Sequence, residues 1–254
     1  MNVDLNFLKE RPLSYSSIKE FAKSPGHYIH YIFGKKGEPS KEMNMGSIIH
    51  SLILTPDLFK DEFAVAPSVD RRTKDGKAQW DSFVLINDGK TVITSDDLDT
   101  ASEIVNNVRN NKNINHLIGS CNEFEKKWNI IFNGLPFTGY IDGQSSDYVV
   151  EIKTASDASP SIFMRDFYNR KYYLQAALYF FATQKPLNYV VIETKPPYNV
   201  FYAPISKEYI DLGLKELNNL TNTFNECMAI SGWNLGYEFM EDGPIIITPP
   251  SWLK

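Results

Sequence analysis

Residues 128–153 constrain the fold more tightly than any other stretch of the chain. Trp128, Ile130 and Phe132 fall at every second position, and Asn133-Gly134 follows at once. Alternation is the period of a half-buried strand, and Asn-Gly tolerates the positive φ angles of a tight hairpin turn. Leu135 to Ile141 is then the returning strand, Gln144 to Asp147 a second turn, and Tyr148 to Lys153 a third strand. The result is a β-meander with an acid, Asp142, at the end of its middle strand. Glu151 and Lys153 stand two apart on the next strand and therefore point to one face.

Two carboxylates and an ammonium can converge on such a frame. Carboxylate oxygens are hard ligands suited to Mg²⁺ or Mn²⁺. A nearby lysine can hold a water beside the metal, which is the apparatus of phosphodiester hydrolysis. The acid-x-Lys pattern alone decides nothing, because the chain contains five such triplets, beginning at Asp75, Asp88, Glu125, Glu151 and Glu193. The two Asp-Gly-Lys cases read as turns. Glu125 opens a strand, and Glu193 closes an apolar run that no acid-terminated strand precedes. Only Glu151 has both a strand of its own and an acid ending the strand before it. A surface hairpin with solvated charges is the competing reading.

The 254 residues are 43% hydrophobic and 22% charged, an ordinary globular balance enriched by 16 Phe and 14 Tyr. No apolar run has membrane-spanning length, and the charged start Met1 to Arg11 does not read as a secretory leader. Cys121 and Cys227 make neither a disulfide framework nor the four thiolates of an iron–sulfur cluster, so a reducing intracellular setting is expected. A net charge of −5 speaks against a general basic coat but allows a local basic groove.

Along the chain, Ser17-Ile18-Lys19-Glu20 resembles a capping box, and Pro25 ends that helix and starts another with Tyr28, Tyr31 and Ile32 inward. Met45, Ile48, Ile49, Leu52 and Ile53 have helical spacing, ended by Thr55-Pro56. Residues 66–78 read as a mobile basic loop. Leu98 to Val108 is an amphipathic helix, and a long helix is expected over about 160–184. Strands at 188–194 and 199–204 and a helix after Ser206 follow, then a Pro- and Ile-rich docked tail from Gly243. Helices on both sides of a central sheet indicate an α/β domain.

Other residues could serve the same chemistry. Gln175 and Tyr179 share a helix face, where they can hold a phosphate or water or simply pack. His50 lies one turn after Gly46, and its imidazole could ligate a metal or be a buried, hydrogen-bonded core group. Glu123 and Glu125 are two apart on one strand, so spacing does not choose between them. Arg71, Arg72, Lys74, Arg165, Arg170 and Lys171 are candidate phosphate contacts or a solvated face. No Ser-His-Asp set, Walker loop, dinucleotide fingerprint or CxxC pair is present.

Taken in order, Gly46-Ser47-Ile48-Ile49-His50, Gly139-Tyr140-Ile141-Asp142, Glu151-Ile152-Lys153-Thr154 and Gln175-x-x-x-Tyr179 resemble the PD-(D/E)xK nuclease superfamily, in its exonuclease VIII (RecE-like), lambda-exonuclease-type branch. Leu52 to Phe59, Arg71 to Lys77 with Trp80, and Trp233-x-x-Gly236-Tyr237 with Pro250-Ser251-Trp252 agree with it. The resemblance implies a restriction-endonuclease-like α/β core, a central mixed sheet flanked by helices. One domain would span 1–254, helical to about 120 and catalytic from about 121. Asp142, Glu151, His50 and the Ile152 carbonyl would hold the metal, with Glu125 or Glu123 assisting. Asp142, Glu151 and Lys153 would be catalytic, while Gln175, Tyr179, Thr154, Arg71 and Arg72 would meet substrate.

The resemblance also implies a Mg²⁺-dependent exodeoxyribonuclease, with Mn²⁺ able to substitute. It would digest linear double-stranded DNA 5′ to 3′ for recombination or phage DNA processing. Expected partners are duplex ends, a single-strand annealing protein and further copies in a ring, in the cytoplasm of a bacterial or phage-infected cell and away from membranes. Ser24-Pro25 stands where cluster-bearing relatives have Cys-Pro, so no iron–sulfur cluster is expected. The proline of the family name is replaced by Ile141. A structure-specific or restriction-like endonuclease and a non-catalytic DNA-end-binding module are the alternatives.

Overall fold

A computed structural model describes residues 5–35, 37–230, 233, 236 and 237. The expected tail from Gly243 lies outside them. Helices α1 (Leu5–Glu10), α2 (Tyr15–Phe21), α3 (Pro25–Phe33) and α4 (Lys41–Leu54) come first. A 3₁₀ turn (Pro56–Leu58) and α5 (Phe59–Glu62) lead into strand β1 (Phe63–Val65), α6 (Lys74–Ile86) and β2 (Thr91–Ile93). Then come α7 (Ser95–Asn110), α8 (Lys112–Gly119) and the meander β3 (Glu123–Phe132), β4 (Leu135–Gln144) and β5 (Val149–Ala155). The chain continues through α9 (Pro160–Asn169), α10 (Tyr172–Thr183), β6 (Leu187–Glu193), β7 (Val200–Pro204) and α11 (Lys207–Ile230).

Strands β3 to β7 form one sheet in sequence order. β5 and β6 are parallel and the other pairs antiparallel, so the sheet is mixed. The parallel step follows from α9 and α10, which carry the chain across one face between β5 and β6. Alternation sorts β5 cleanly. Val149 joins the core beneath α2, α10 and α11, while Val150 and Ile152 join the core beneath α4 and α7. Each fully buried aliphatic side chain in these layers contributes about 1.5–3 kcal/mol. Glu151 and Lys153 share the parity of Val149 and so face the α10 side.

Four local expectations are corrected. The capping box belongs to Ser14, whose hydroxyl accepts from the Ser17 N–H while the Ser17 hydroxyl accepts from the Ser14 N–H. On α3, Tyr28 and Ile29 are buried, while Tyr31 and Ile32 are only half-buried. Residues 74–78 are helical, because Thr73 caps α6 through the Gly76 N–H at 3.0 Å. Gly76 is there for space and not for a turn: a Cβ would lie 2.1 Å from the Asp70 carbonyl oxygen. The expected helix over 160–184 is two helices, broken at Lys171, whose φ of 54° is left-handed. No Gly or Pro marks that break, so helical periodicity runs through it unseen. The Asp88-Gly89 turn is present, with Gly89 at φ 81°.

Candidate active site

β4 and β5 share only two paired positions, Gly143 with Val150 and Gln144 with Val149, and then part. The parting leaves the Ile152 N–H without a ladder acceptor. Asp142 Oδ2 takes that hydrogen bond at 2.7 Å. On its other side, β3 pairs with β4 in constant register from Glu123 with Gln144 to Phe132 with Leu135, except for one rung: Glu125 opposite Asp142. Glu125 has a φ of 47°, which turns it out of the ladder. A non-glycine residue in that region costs on the order of 1–3 kcal/mol and persists where the surroundings hold it.

The turn sets the two glutamates apart. Glu125 Oε, Asp142 Oδ and a His50 ring nitrogen lie within 4.8 Å of one another, the grouping of this kind found among the described residues. Glu123 instead accepts from Lys126 Nζ at 2.7 Å and Gln144 Nε2 at 3.0 Å. Period-two reasoning put both acids on one side and could not see the positive φ. Glu125→Gln is expected to weaken Mn²⁺ binding about tenfold by calorimetric titration, and Glu123→Gln to leave it within about twofold. Equal effects would remove Glu125 from the ligand set.

His50 comes from α4, which packs on the opposite face from α10. Its Nε2 lies 3.2 Å from the Ile152 carbonyl and its Nδ1 lies 3.7 Å from Asp142 Oδ2. With Nε2–H donating to the carbonyl, Nδ1 keeps its lone pair toward the acids. Burial holds the imidazole below its usual pKa against the opposing pull of Glu151, which favours that neutral, ligating form. The Ile152 carbonyl, expected at the metal, is here the histidine's acceptor. Gly46 lets α4 approach β5, since a Cβ there would meet Thr154 Oγ1 at 3.0 Å.

Glu151 is held on the far side of β5. Its Oε1 accepts from Lys153 Nζ at 2.6 Å and Gln175 Nε2 at 2.8 Å, and its Oε2 lies 2.9 Å from the Tyr179 hydroxyl. That hydroxyl is also 2.6 Å from the Tyr140 carbonyl and accepts from Gln175 at 3.0 Å. Gln175 and Tyr179 are 5% and 4% exposed and sit behind Glu151. They touch the acid, and neither lines the cleft where a substrate phosphate was expected to meet them.

Burial raises the Asp142 carboxyl well above the usual range, and Glu151 adds to this against the Ile152 N–H and Lys153. Burial, then Glu151 and Glu62, also raise Glu125. Burial works to lower the Lys153 ammonium, but Glu151 foremost and then Tyr172 and Asp142 outweigh it, so its net direction is up. Lys153 is therefore a firmly held cation, and Asp142 and Glu125 are the two carboxyls that burial holds back from ionising.

His50, Glu125, Glu151 and Lys153 line a cleft of about 1010 Å³, while the buried Asp142 is not among its lining residues. Its acids are Glu42, Glu62, Glu125 and Glu151, its cations Lys153 and Arg170, and Ser47, Thr154, Ser156 and Thr194 add hydroxyls. Thr154 is among the residues that line the cleft. Arg71 and Arg72 are not among the lining residues: Arg71 stacks on Trp80 at 4.5 Å, and Arg72 makes a paired contact to Asp70 at 2.9 and 3.0 Å. Of the other basic candidates, Arg170 lines the cleft, while Lys171 is tied to Glu216 at 2.6 Å. No helix among the described residues is long and apolar enough to cross a membrane.

Comparison with known proteins agrees with this architecture. No curated protein matches the sequence. A crystal structure named "Putative exonuclease" from Eubacterium rectale is 13% identical, with a TM-score of 0.62 over 100% of this chain and 97% of that one. At that identity it shows the fold. A second structure, SSO0001, is 12% identical over 74% of this chain and 86% of that one, and its TM-score of 0.31 carries no argument. The family model described as a PDDEXK-like domain of unknown function (DUF3799) matches residues 14–235. That span runs from the Ser14 cap of α2 to beyond α11 and includes the mixed sheet with every acid above: the chain belongs to the PDDEXK-like DUF3799 family, and its core is of the restriction-endonuclease-like kind.

Proposed function

We propose that the chain is a metal-dependent exodeoxyribonuclease acting on the ends of linear double-stranded DNA, with 5′ to 3′ polarity, and that it works as one nuclease domain. The single observation that carries this reading is the meeting of His50, Glu125 and Asp142 within 4.8 Å of one another, beside the Glu151–Lys153 pair, at a cleft that His50, Glu125, Glu151 and Lys153 line. The PDDEXK-like family supports the nuclease class. Exonuclease action, polarity, a role in recombination or phage DNA processing, a ring of copies, an annealing partner and a cytoplasmic setting belong to the same proposal and rest on the sequence resemblance.

The donor set fits a divalent cation of the Mg²⁺ or Mn²⁺ type: carboxylate oxygens with one imidazole nitrogen. When bound, such a cation supplies Lewis acidity toward a phosphoryl oxygen and makes its water more acidic. The acid-rich cleft would by itself repel a phosphodiester. Asp142 and Glu125 would hold the cation, with Nδ1 of His50 completing the set. Lys153 donates from its ammonium to the attacking water or to the oxygen that gains charge, and Glu151 fixes the direction of that donation. Thr154 and Ser47 offer hydroxyls along the cleft wall, and Arg170 offers a cation to a neighbouring phosphate.

End-labelled linear duplex with Mg²⁺, a covalently closed circular control and Glu151→Ala test the proposal together. Loss of 5′ label as mononucleotide from wild type alone, with the circle intact, is the expected result. A cut circle would make the protein an endonuclease. End binding without cleavage under any divalent metal would make it a binding module.

A further inference from the structure

Lys153 is placed by more than its acid. Its Nζ lies 4.8 Å from the ring centroid of Tyr172 and 5.9 Å from that of Tyr189, both within cation–π range. Tyr189 is fully buried and stands beside Glu151 across the parallel β5–β6 ladder. Tyr172 opens α10 immediately after the left-handed Lys171, so the helix break sets its ring over the end of β5. The Tyr189 hydroxyl donates to the Tyr172 carbonyl at 2.9 Å, tying the two walls together. Phe163 braces both rings from behind, at 6.2 Å from Tyr172 and 5.9 Å from Tyr189.

The ammonium thus meets a carboxylate on one side and two ring faces on others, and its side chain is 19% exposed. A lysine stem has four rotatable bonds, and one carboxylate fixes only one direction of approach. Ring faces attract the cation but accept an N–H far more weakly than an oxygen does, so with one donor on Glu151 another can still be drawn to an oxygen in the cleft.

We propose that Tyr172 and Tyr189 are positioning residues for Lys153, whose ring faces hold the ammonium with free N–H donors turned to the reacting phosphate. This deepens the nuclease reading and rests on it. Ordinary core packing of the two rings is the competing explanation, and it predicts indifference to ring electronics.

The test places phenylalanine and then mono-, di- and trifluorinated phenylalanine at position 172. Shape is nearly constant along the series while the negative ring face fades. Turnover on linear duplex is expected to be within about twofold of wild type for Tyr172→Phe and to fall stepwise with fluorine, about tenfold in all, with KM nearly unchanged. A flat series overturns the proposal. So does a loss already complete in Tyr172→Phe, which would assign the effect to the hydroxyl. Circular dichroism melts confirm that each variant folds. Amine-selective acylation at Lys153, read by mass spectrometry, adds a readout independent of cleavage. Its rate is expected to rise with fluorination. If wild type cleaves no DNA yet acylation rises along the series, the nuclease reading fails and the cage stands. If acylation is flat, the cage fails whatever the activity.

Discussion

Lys153→Met is expected to lower turnover on linear duplex about 10³-fold, or about 4 kcal/mol of transition-state stabilisation. The methionine keeps the length and apolar stem of the side chain and removes only the charge and its donors. The same change leaves Glu151, 5% exposed, with Gln175 and Tyr179 as its remaining partners. Removing one member of a buried ion pair costs about 3–5 kcal/mol, and two surviving donors put this case at the low end. Lost activity and lost stability would then be confused in the single variant.

The double variant Lys153→Met/Glu151→Gln separates them. An amide at 151 offers its oxygen to Gln175 and its N–H to the Tyr179 hydroxyl. That hydroxyl can then spend its one proton on the Tyr140 carbonyl, 2.6 Å away. Urea denaturation should show the double variant recovering most of the single variant's loss while remaining inactive. A double variant less stable than Lys153→Met would refute this account of the pair.

Asp142→Asn is expected to abolish cleavage, again by about 10³-fold or more, and to raise the melting temperature of the metal-free protein. The amide oxygen can still accept from the Ile152 N–H, so the strand parting keeps its hydrogen bond. What disappears is a carboxylate whose ionisation burial and Glu151 oppose. The sign follows from linkage. A carboxyl whose folded pKa is raised binds its proton more tightly when folded, so stability is greatest below the ordinary carboxylate pKa and falls as pH rises through the higher folded value. Metal-free wild type should show that fall, and Asp142→Asn should lack this contribution. A cation present at about 100 times its dissociation constant should stabilise wild type by about 2.7 kcal/mol. An undiminished Mg²⁺-dependent melting shift in Asp142→Asn would remove this acid from the metal site.

The fold was most legible where side-chain period and turn chemistry act alone. Trp128, Ile130, Phe132 and Asn133-Gly134 sufficed for the β3–β4 hairpin, and the stripe from Met45 to Ile53 for α4. The sequence also singled out His50, Asp142, Glu151, Lys153, Gln175 and Tyr179, which the structure gathers around β5. It was silent where backbone conformation departs from the residue's habit. Glu125 at φ 47° and Lys171 at φ 54° are neither glycine nor asparagine, so neither the missing rung nor the helix break has a compositional marker. Tyr172 and Tyr189 were equally hidden, because a wall made of one residue from a helix start and one from a parallel strand needs tertiary register. A Thr at 73 with an acid two residues later was a readable helix start for α6; the Asp75-Gly76 dipeptide obscured it.

The short β4–β5 ladder has a mechanical consequence. Nine rungs join β3 to β4 and seven join β5 to β6, but only two join β4 to β5. The sheet is thus two stiff leaves on a narrow spine. Asp142 and Glu125 ride on one leaf, Glu151 and Lys153 on the other. A cation held by the first leaf and a phosphate gripped from the second would bolt the leaves together, so loading the cleft and stiffening the sheet become one event.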